Sequence, residues 1–258
     1  MKYVLVIGSG MADIKLPQLA GHTPMEVLAL NAFDRVAGCF LGRVLTVPHG
    51  VAVNSANAVM SILGYDPKAC EADAGLTPFA EAFGCEGSFI CADPAVQQIA
   101  RRAGLKTPEV EGANGAFDTN YEGKAYAALD ALANGDDFAA VHVAAPDKMA
   151  REGDLARKLE AVQNVEYRVV MILLNQLMGR GEDFRLMLLS DHATLLPTQA
   201  PMGGPVPYAI FDSRTVRKAL DEGKEPPTRK FSEEESAFEP VLMDGTELMK
   251  VLFEQTRG

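Results

Sequence analysis

Short apolar runs alternate with amphipathic segments along the chain. Runs that suit buried strands occupy residues 3–7, 43–47, 88–92, 138–144, 184–190 and 207–211. Helical spacing of apolar residues covers 24–40, 55–63, 94–103, 119–132, 148–179 (one long helix or two), 214–222 and 245–254. This alternation predicts an α/β fold in which residues 1–258 form a single domain, with a mostly parallel central sheet and helices on both faces.

Two local signals add detail to this pattern. Thr23 and Pro24 have the residue types of a helix N-cap and first helical position, and Glu26 completes a capping box. The polar segment 221–235, which contains two adjacent prolines, predicts a surface loop.

Polar residues stand at or near the ends of several predicted strands. These segments are Ser9-Gly10, Asn54-Ser55, Pro146-Asp147 and Asp191-His192. Because functional residues of parallel sheets gather at the carboxyl ends of the strands, we expect these segments to form one site.

A dinucleotide site is one interpretation of the glycine turn after the first strand. Gly8 and Gly10 fit the first two glycines of the G-x-G-x-x-G/A pattern, but Asp13 stands at the third position. The acidic residue expected near the end of the second strand is also missing. The partial match makes a dinucleotide-binding protein the weakest of three hypotheses.

Metal-assisted phosphoryl transfer is a second interpretation of the strand ends. It requires a hydroxyl nucleophile at a helix N-terminus together with carboxylate and imidazole ligands. Ser55 precedes a helical segment, Asp191 and His192 form a two-ligand pair, and Asp147 supplies a further carboxylate.

Each of these residues also has a purely structural interpretation. A lone serine such as Ser55 is more often the N-cap of its helix, and Asp191 can cap a turn. Asp147 can pair with Lys148 or Arg151. Only their combined placement on one sheet indicates a site.

Composition and charge narrow the classes of partner. The net charge of -11 repels nucleic acid and anionic membranes, so we expect neither as a partner. The four cysteines form no CxxC pair, the first apolar run is too short for a signal peptide, and the stretch 169–178 is too short to span a bilayer. These features predict a cytoplasmic protein with reduced thiols, and the sequence gives no indication of its oligomeric state.

Five groups of residues, in this order along nearly the whole chain, resemble one known family. They are Val4-Leu5-Val6-Ile7-Gly8-x-Gly10-Met11-Ala12-Asp13; Ser61-Ile62-Leu63-Gly64-Tyr65-Asp66-Pro67; Phe117-Asp118-Thr119-Asn120-Tyr121-Glu122-Gly123-Lys124-Ala125; Val141-His142-Val143-x-Ala145-Pro146-Asp147 with Gly153-Asp154; and Asp191-His192-Ala193-Thr194 with Pro205-Val206-Pro207. The sequence resembles the cofactor-independent phosphoglycerate mutases of the archaeal type, which belong to the alkaline phosphatase superfamily.

The resemblance implies an alkaline-phosphatase-like core and a two-metal site. In that family an active-site serine carries a phosphoryl group between the 2- and 3-positions of glycerate, and two divalent ions, typically manganese, assist it. The family nucleophile falls on Ser55. One metal is held by that serine, by the Asp191-His192 pair and by an aspartate whose position is Ser9 in this chain.

The second metal of the family loses most of its ligands in this sequence. Asp147 is kept, the histidine four residues on is Arg151, and segment 198–204 lacks the distant histidine. Arg151 either pairs with Asp147 or takes the place of the metal and binds phosphate itself. We expect at most one divalent ion (manganese, zinc or magnesium).

Mutase activity is therefore expected to be impaired or lost. The family's inserted domain after about residue 67, which supplies substrate-binding residues, is expected to be largely missing. The chain would then be a non-catalytic binding protein for a small phosphorylated ligand or a protein partner. The alternative is an active, divergent metal-dependent phosphoryl-transfer enzyme, a mutase or phosphatase that uses Ser55 as nucleophile.

Overall fold

The computed structural model describes residues 1–69 and 75–254. Cys70, one of the four cysteines considered above, lies outside the described residues. In chain order the strands are β1 (Lys2–Gly8), β2 (Gly10–Ala12), β3 (Leu41–Val44), β4 (Gly87–Ile90), β5 (Phe138–Val143), β6 (Phe184–Leu189), β7 (Ala193–Leu195), β8 (Ala200–Met202), β9 (Val206–Asp212) and β10 (Val241–Leu242).

Helices connect most of these strands. They are α1 (Pro24–Val27), α2 (Asn31–Cys39), α3 (Ser55–Ile62), α4 (Phe79–Phe83), α5 (Pro94–Arg102), α6 (Tyr121–Ala133), α7 (Ala145–Arg151), α8 (Leu155–Val165), α9 (Met171–Arg180), α10 (Ser213–Asp221), α11 (Glu233–Ser236) and α12 (Leu248–Phe253). A π-helical turn at Glu166–Val170 joins α8 to α9, and short 3-10 turns lie at Pro17–Leu19 and Gly245–Glu247.

A seven-stranded sheet with the order β10-β3-β9-β6-β1-β5-β4 forms the centre of the fold. Strand β1 pairs in parallel with both β5 and β6, and β9 alone runs against its neighbours. Every residue of β5 and β6 is buried. Because successive side chains of a strand point to opposite faces, this burial means that both faces of the sheet are covered. The predicted fold class is confirmed.

Several predicted boundaries are wrong, each for a local reason. The strand expected at 43–47 ends at Val44, because the chain then turns toward the site and Thr46 bonds the backbone of Asp191. The helix expected at 24–40 divides into α1 and α2, although its capping box is present as predicted.

The segments expected at 148–179 and 221–235 also differ from the prediction. The first, expected as one long helix or two, is broken after α7, because Gly153 has φ +72° and Asp154 caps α8; from there the π-helical turn joins α8 to α9 without a gap. The second is mostly exposed, but it contains the buried Phe231, whose ring packs edge-on against Phe33 with centroids 5.6 Å apart, and its last three residues lie in α11. No helix among residues 1–69 and 75–254 is long and apolar enough to cross a membrane.

Candidate active site

The carboxyl ends of three neighbouring strands bring the predicted site residues together. Ser9 follows β1, Asp147 lies in the first turn of α7 after β5, and Asp191 and His192 follow β6. Ser55 opens α3, and its Oγ contacts Ser9 and His192 at the same place. Parallel pairing of β1 with both β5 and β6 therefore builds this part of the site.

Four residues form a hydrogen-bonded group that we call the serine half: Ser9, Ser55, Asp191 and His192. The Ser9 hydroxyl donates to Asp191 Oδ2 at 2.9 Å, and its oxygen lies 3.0 Å from Ser55 Oγ. Ser55 Oγ lies 3.3 Å from His192 Nε2. All except Ser55 are buried, so Ser55 is the member that solvent and ligands can reach.

Ser55 is not the N-cap of its helix, which corrects the structural interpretation of a lone serine. Asn54 is the cap, and its side chain accepts from the Asn57 amide at 2.9 Å. Ser55 occupies the first helical position, where its hydroxyl is free for the site. The partly positive helix N-terminus favours negative charge there.

Asp191 is held by backbone donors and remains ionised. Its Oδ1 accepts from the amides of Gly10 at 3.1 Å and His192 at 2.8 Å. Burial alone would raise the pKa of the Asp191 carboxyl, but the neighbouring imidazoles of His192 and His142 hold it well below its usual range. Gly10 has φ +63°, and an added Cβ would lie 2.7 Å from the Cα of Asp147, so glycine is required there.

The ring of His192 is oriented by groups on its far side. His192 Nδ1 lies 3.2 Å from Thr194 Oγ1 and 3.3 Å from the carbonyl oxygen of Ala193. Donation from Nδ1–H to either oxygen assigns the lone pair to Nε2, which faces Ser55. In that tautomer Nε2 can accept the Ser55 proton or bind a metal ion.

Three further residues form what we call the aspartate half: Asp147, Arg151 and Thr194. Arg151 Nε donates to Asp147 Oδ2 at 2.7 Å, and the Thr194 hydroxyl donates to Oδ1 at 2.5 Å. The interpretation of Arg151 as the ion-pair partner of Asp147 is confirmed. Within the described part of the chain, no hydrogen bond or ion pair joins Arg151 to Asp191.

The two halves differ in their fit to a divalent ion. In the serine half, Ser55 Oγ and Asp191 Oδ2 lie 3.3 Å and 3.6 Å from His192 Nε2, spacings that suit ligands of one ion. In the aspartate half both carboxylate oxygens are already bonded, one of them to a fixed cation. The serine half thus has donors of the type and spacing that a divalent ion requires, whereas both oxygens of Asp147 in the aspartate half already have other partners.

Two buried residues near the serine half, His142 and Lys124, have no role assigned from the sequence pattern. His142 Nε2 lies 3.8 Å from Asp191 Oδ2, and within residues 1–69 and 75–254 neither ring nitrogen has a hydrogen-bond partner. Lys124 Nζ donates to the His142 carbonyl at 3.3 Å, and burial lowers the pKa of Lys124 to about 8. The one available signal was an imidazole inside the otherwise apolar run 138–144.

The protein belongs to the Metalloenzyme superfamily, whose family model matches residues 1–241. Among curated relatives, the 2,3-bisphosphoglycerate-independent phosphoglycerate mutase of Methanosarcina acetivorans is 38% identical over 148 residues, which are 57% of this chain and 35% of that enzyme. The match therefore spans about a third of the length of that relative.

Solved structures agree on the fold. The PH0037 protein of Pyrococcus horikoshii superposes with a TM-score of 0.83 at 18% identity, covering 100% of this chain and 98% of that one. The alkaline phosphatase of the Antarctic bacterium TAB5 has a TM-score of 0.61 at 8% identity, covering 97% and 96%. The chain thus belongs to the Metalloenzyme superfamily, is similar in sequence to phosphoglycerate mutases and shares the fold of alkaline phosphatases, so the resemblance read from the sequence is confirmed.

Proposed function

We propose that this chain binds a small phosphorylated ligand at the serine half and that its mutase activity is impaired or lost. The observation that carries the proposal lies in the aspartate half, where Arg151 and Thr194 donate hydrogen bonds to both oxygens of Asp147. A two-metal displacement needs ions on both the attacking and leaving sides of phosphorus, and the second ion has no ligand set here.

Ligand binding is supported by the charges and donors that remain. The Arg151 side chain is 39% exposed and uses its Nε–H for Asp147, which leaves further guanidinium N–H groups for a phosphate. The α3 N-terminus adds partial positive charge next to Ser55. A divalent ion held by Ser55, Asp191 and His192 would neutralise phosphate charge and lower the pKa of the serine hydroxyl.

The predicted loss of the inserted domain supports the same conclusion. Only α4, β4 and α5 are described between Gly75 and Arg102, and β4 is part of the central sheet. A mutase must retain glycerate between two half-reactions, which requires a closing element over the site. We therefore expect a ligand to exchange freely here.

The alternative function is metal-dependent phosphoryl transfer through Ser55. Its specific support is the 3.3 Å separation between Ser55 Oγ and His192 Nε2, with the imidazole in the tautomer that accepts a proton. This arrangement would serve a phosphatase that requires at most one metal ion.

Turnover assays on matched serine variants separate these functions. Purified protein with added Mn²⁺ is assayed with 3-phosphoglycerate for mutase activity and with p-nitrophenyl phosphate for hydrolysis. Ser55→Ala removes the candidate nucleophile, whereas Ser61→Ala removes a buried hydroxyl of the same helix that has no hydrogen-bond partner among the described residues. Phosphate binding without turnover of either substrate supports the proposal. Mutase turnover abolished by Ser55→Ala but kept by Ser61→Ala would overturn it, and hydrolysis alone with that pattern would establish the alternative.

A further inference from the structure

A second group of metal-ligating side chains lies outside the candidate active site. His22, Glu26 and Glu234 each offer one ligand atom, and these atoms all lie within 4.8 Å of one another. His22 and Glu26 flank the start of α1, and Glu234 lies in α11 near the other end of the chain. We call this group the clip cluster.

The start of α1 supplies two members of the clip cluster. The Glu26 carboxylate reaches back to the amide of Thr23, with Oε2 accepting at 2.8 Å, and this capping box sets its position. His22 immediately precedes the cap, and its Nδ1 lies 3.4 Å from the same Oε2. Ligand atoms of one tetrahedral zinc ion are separated by about this distance.

The second oxygen of Glu26 independently favours a cation-binding role for this group. Only 6% of the Glu26 side chain is exposed, and Oε1 is buried without a hydrogen-bond partner in the described part of the chain. A buried carboxylate oxygen without a donor is costly. Oε1 belongs to the same Glu26 carboxylate that contributes a ligand atom to the clip cluster, so a cation bound there would give this oxygen a partner.

Neighbouring polar groups leave the clip cluster available. Glu233 uses its two oxygens for the Asp13 amide at 3.0 Å and the Thr23 hydroxyl at 2.6 Å. Lys230 Nζ donates to the Leu28 carbonyl at 2.6 Å. Lys15 contacts Glu234 at 3.2 Å, but both side chains are more than half exposed, so this ion pair is weak and easily displaced.

Two open cavities give access to the clip cluster. One, of about 340 Å³, is lined by His22, Glu26 and Glu234 among others. The other, of about 480 Å³, shares Glu26 and Glu234 with it. An ion can therefore enter from solvent and keep a water molecule as an additional ligand.

We propose that His22, Glu26 and Glu234 bind Zn²⁺ and thereby clip α11 to the start of α1. One imidazole nitrogen and two carboxylate oxygens form a three-ligand set that zinc accepts, with water in the fourth position. Because the ligands come from distant parts of the sequence, the ion would cross-link the folded chain and stabilise it.

Zinc titration of matched variants tests this proposal. The titrations use His192→Ala as the parent, which removes the imidazole of the candidate active site, and follow Zn²⁺ binding by calorimetry and Tm by scanning fluorimetry. We expect one ion per chain and a rise in Tm with zinc. His22→Ala and Glu234→Gln should each weaken binding at least about tenfold, because each removes one ligand of the ion.

A matched histidine variant provides the control. His49→Ala removes an exposed imidazole from outside the clip cluster and should leave zinc affinity unchanged. His22 and Glu234 are 54% and 55% exposed, so their variants are expected to fold. Unchanged zinc affinity in both His22→Ala and Glu234→Gln, or an equal loss in His49→Ala, would overturn the proposal.

Discussion

The serine half and the aspartate half lie side by side on one sheet, yet they differ in chemistry. In the serine half, Ser9 stands where the resemblance predicts a carboxylate, and its hydroxyl donates to Asp191, whose position this bond supports. In the aspartate half, Arg151 brings a cation that binds the remaining ligand directly. Loss of one ligand weakens a metal site, whereas a cationic side chain in place of a ligand competes directly with the metal ion.

The hydroxyl of Thr194, a member of the aspartate half, links the two halves because it contacts a residue of each. Its hydroxyl oxygen lies 2.5 Å from Asp147 Oδ1 and 3.2 Å from His192 Nδ1. The backbone of the sheet and these hydrogen bonds hold the two halves in one arrangement. The fold thus preserves the site's geometry, while a few side chains determine its chemistry.

The largest expected effect is that of Ser9→Asp, which returns a carboxylate to the serine half. Ser9 is buried and its Oγ lies 2.9 Å from Asp191 Oδ2, so a second carboxylate without a metal should lower the free energy of unfolding by about 3–4 kcal/mol. Urea denaturation with and without Mn²⁺ measures this, and Mn²⁺ should restore much of the loss. Ser9→Asn is the uncharged control; equal destabilisation by Asn and Asp would attribute the effect to volume instead.

A pH-dependent effect is expected from Lys124, whose ammonium group donates to the carbonyl of His142, the histidine next to Asp191. The pKa of Lys124 is lowered from 10.5 to about 8 by burial, so between these pH values the unfolded chain binds more protons than the folded chain. Stability contributed by this group therefore rises with pH across that window. Relative to wild type, Lys124→Met should gain roughly 2–3 kcal/mol at pH 7 and lose this advantage by pH 10.5.

Urea denaturation of both proteins as a function of pH measures this difference. Lys148→Met, at a largely exposed lysine, is the control and should leave the pH profile unchanged. A constant difference between wild type and Lys124→Met across the window would contradict the assignment.

A smaller effect on the free energy of unfolding is expected at Thr194, which links the two halves. Thr194→Val keeps the side-chain shape but removes the hydroxyl that donates to Asp147, which should cost about 1–2 kcal/mol. The same change frees His192 Nδ1 to donate to the Ala193 carbonyl alone. Guanidinium-chloride denaturation measures the cost, and a neutral result would mean that the two halves are not coupled through Thr194.

The smallest stability effect is expected at Arg151. The Arg151–Asp147 pair is partly exposed, so Arg151→Ala should change the free energy of unfolding by less than about 1 kcal/mol. Affinity for inorganic phosphate, measured by calorimetry, should nevertheless fall about tenfold because a charge-assisted donor is lost. Arg157→Ala, which removes an arginine paired with Asp154, is the control. Equal phosphate affinity in wild type and Arg151→Ala would exclude Arg151 as a ligand-binding residue.

The sequence predicted those parts of the site that follow from strand order. Ser9, Asp147 and Asp191 meet because each follows a strand of one parallel group; the alternation of elements predicted that parallel sheet, but not the order of its strands. The role of Ser55 depended on which neighbour caps α3, a choice between Asn54 and Ser55 that composition alone does not decide. The contact between His142 and Asp191 depends on the register between non-adjacent strands, which no local pattern encodes.

Counting Mn²⁺ ions at the candidate active site tests the central claim most directly. The measurement is an electron paramagnetic resonance titration in the His22→Ala background, which disables the clip cluster, with Asp191→Asn as the matched variant. We predict no more than one site-bound ion per chain, lost in Asp191→Asn, with no exchange-coupled signal. Two bound ions with a spin-coupled spectrum would contradict the account, because they would require Asp147 to bind metal in place of Arg151.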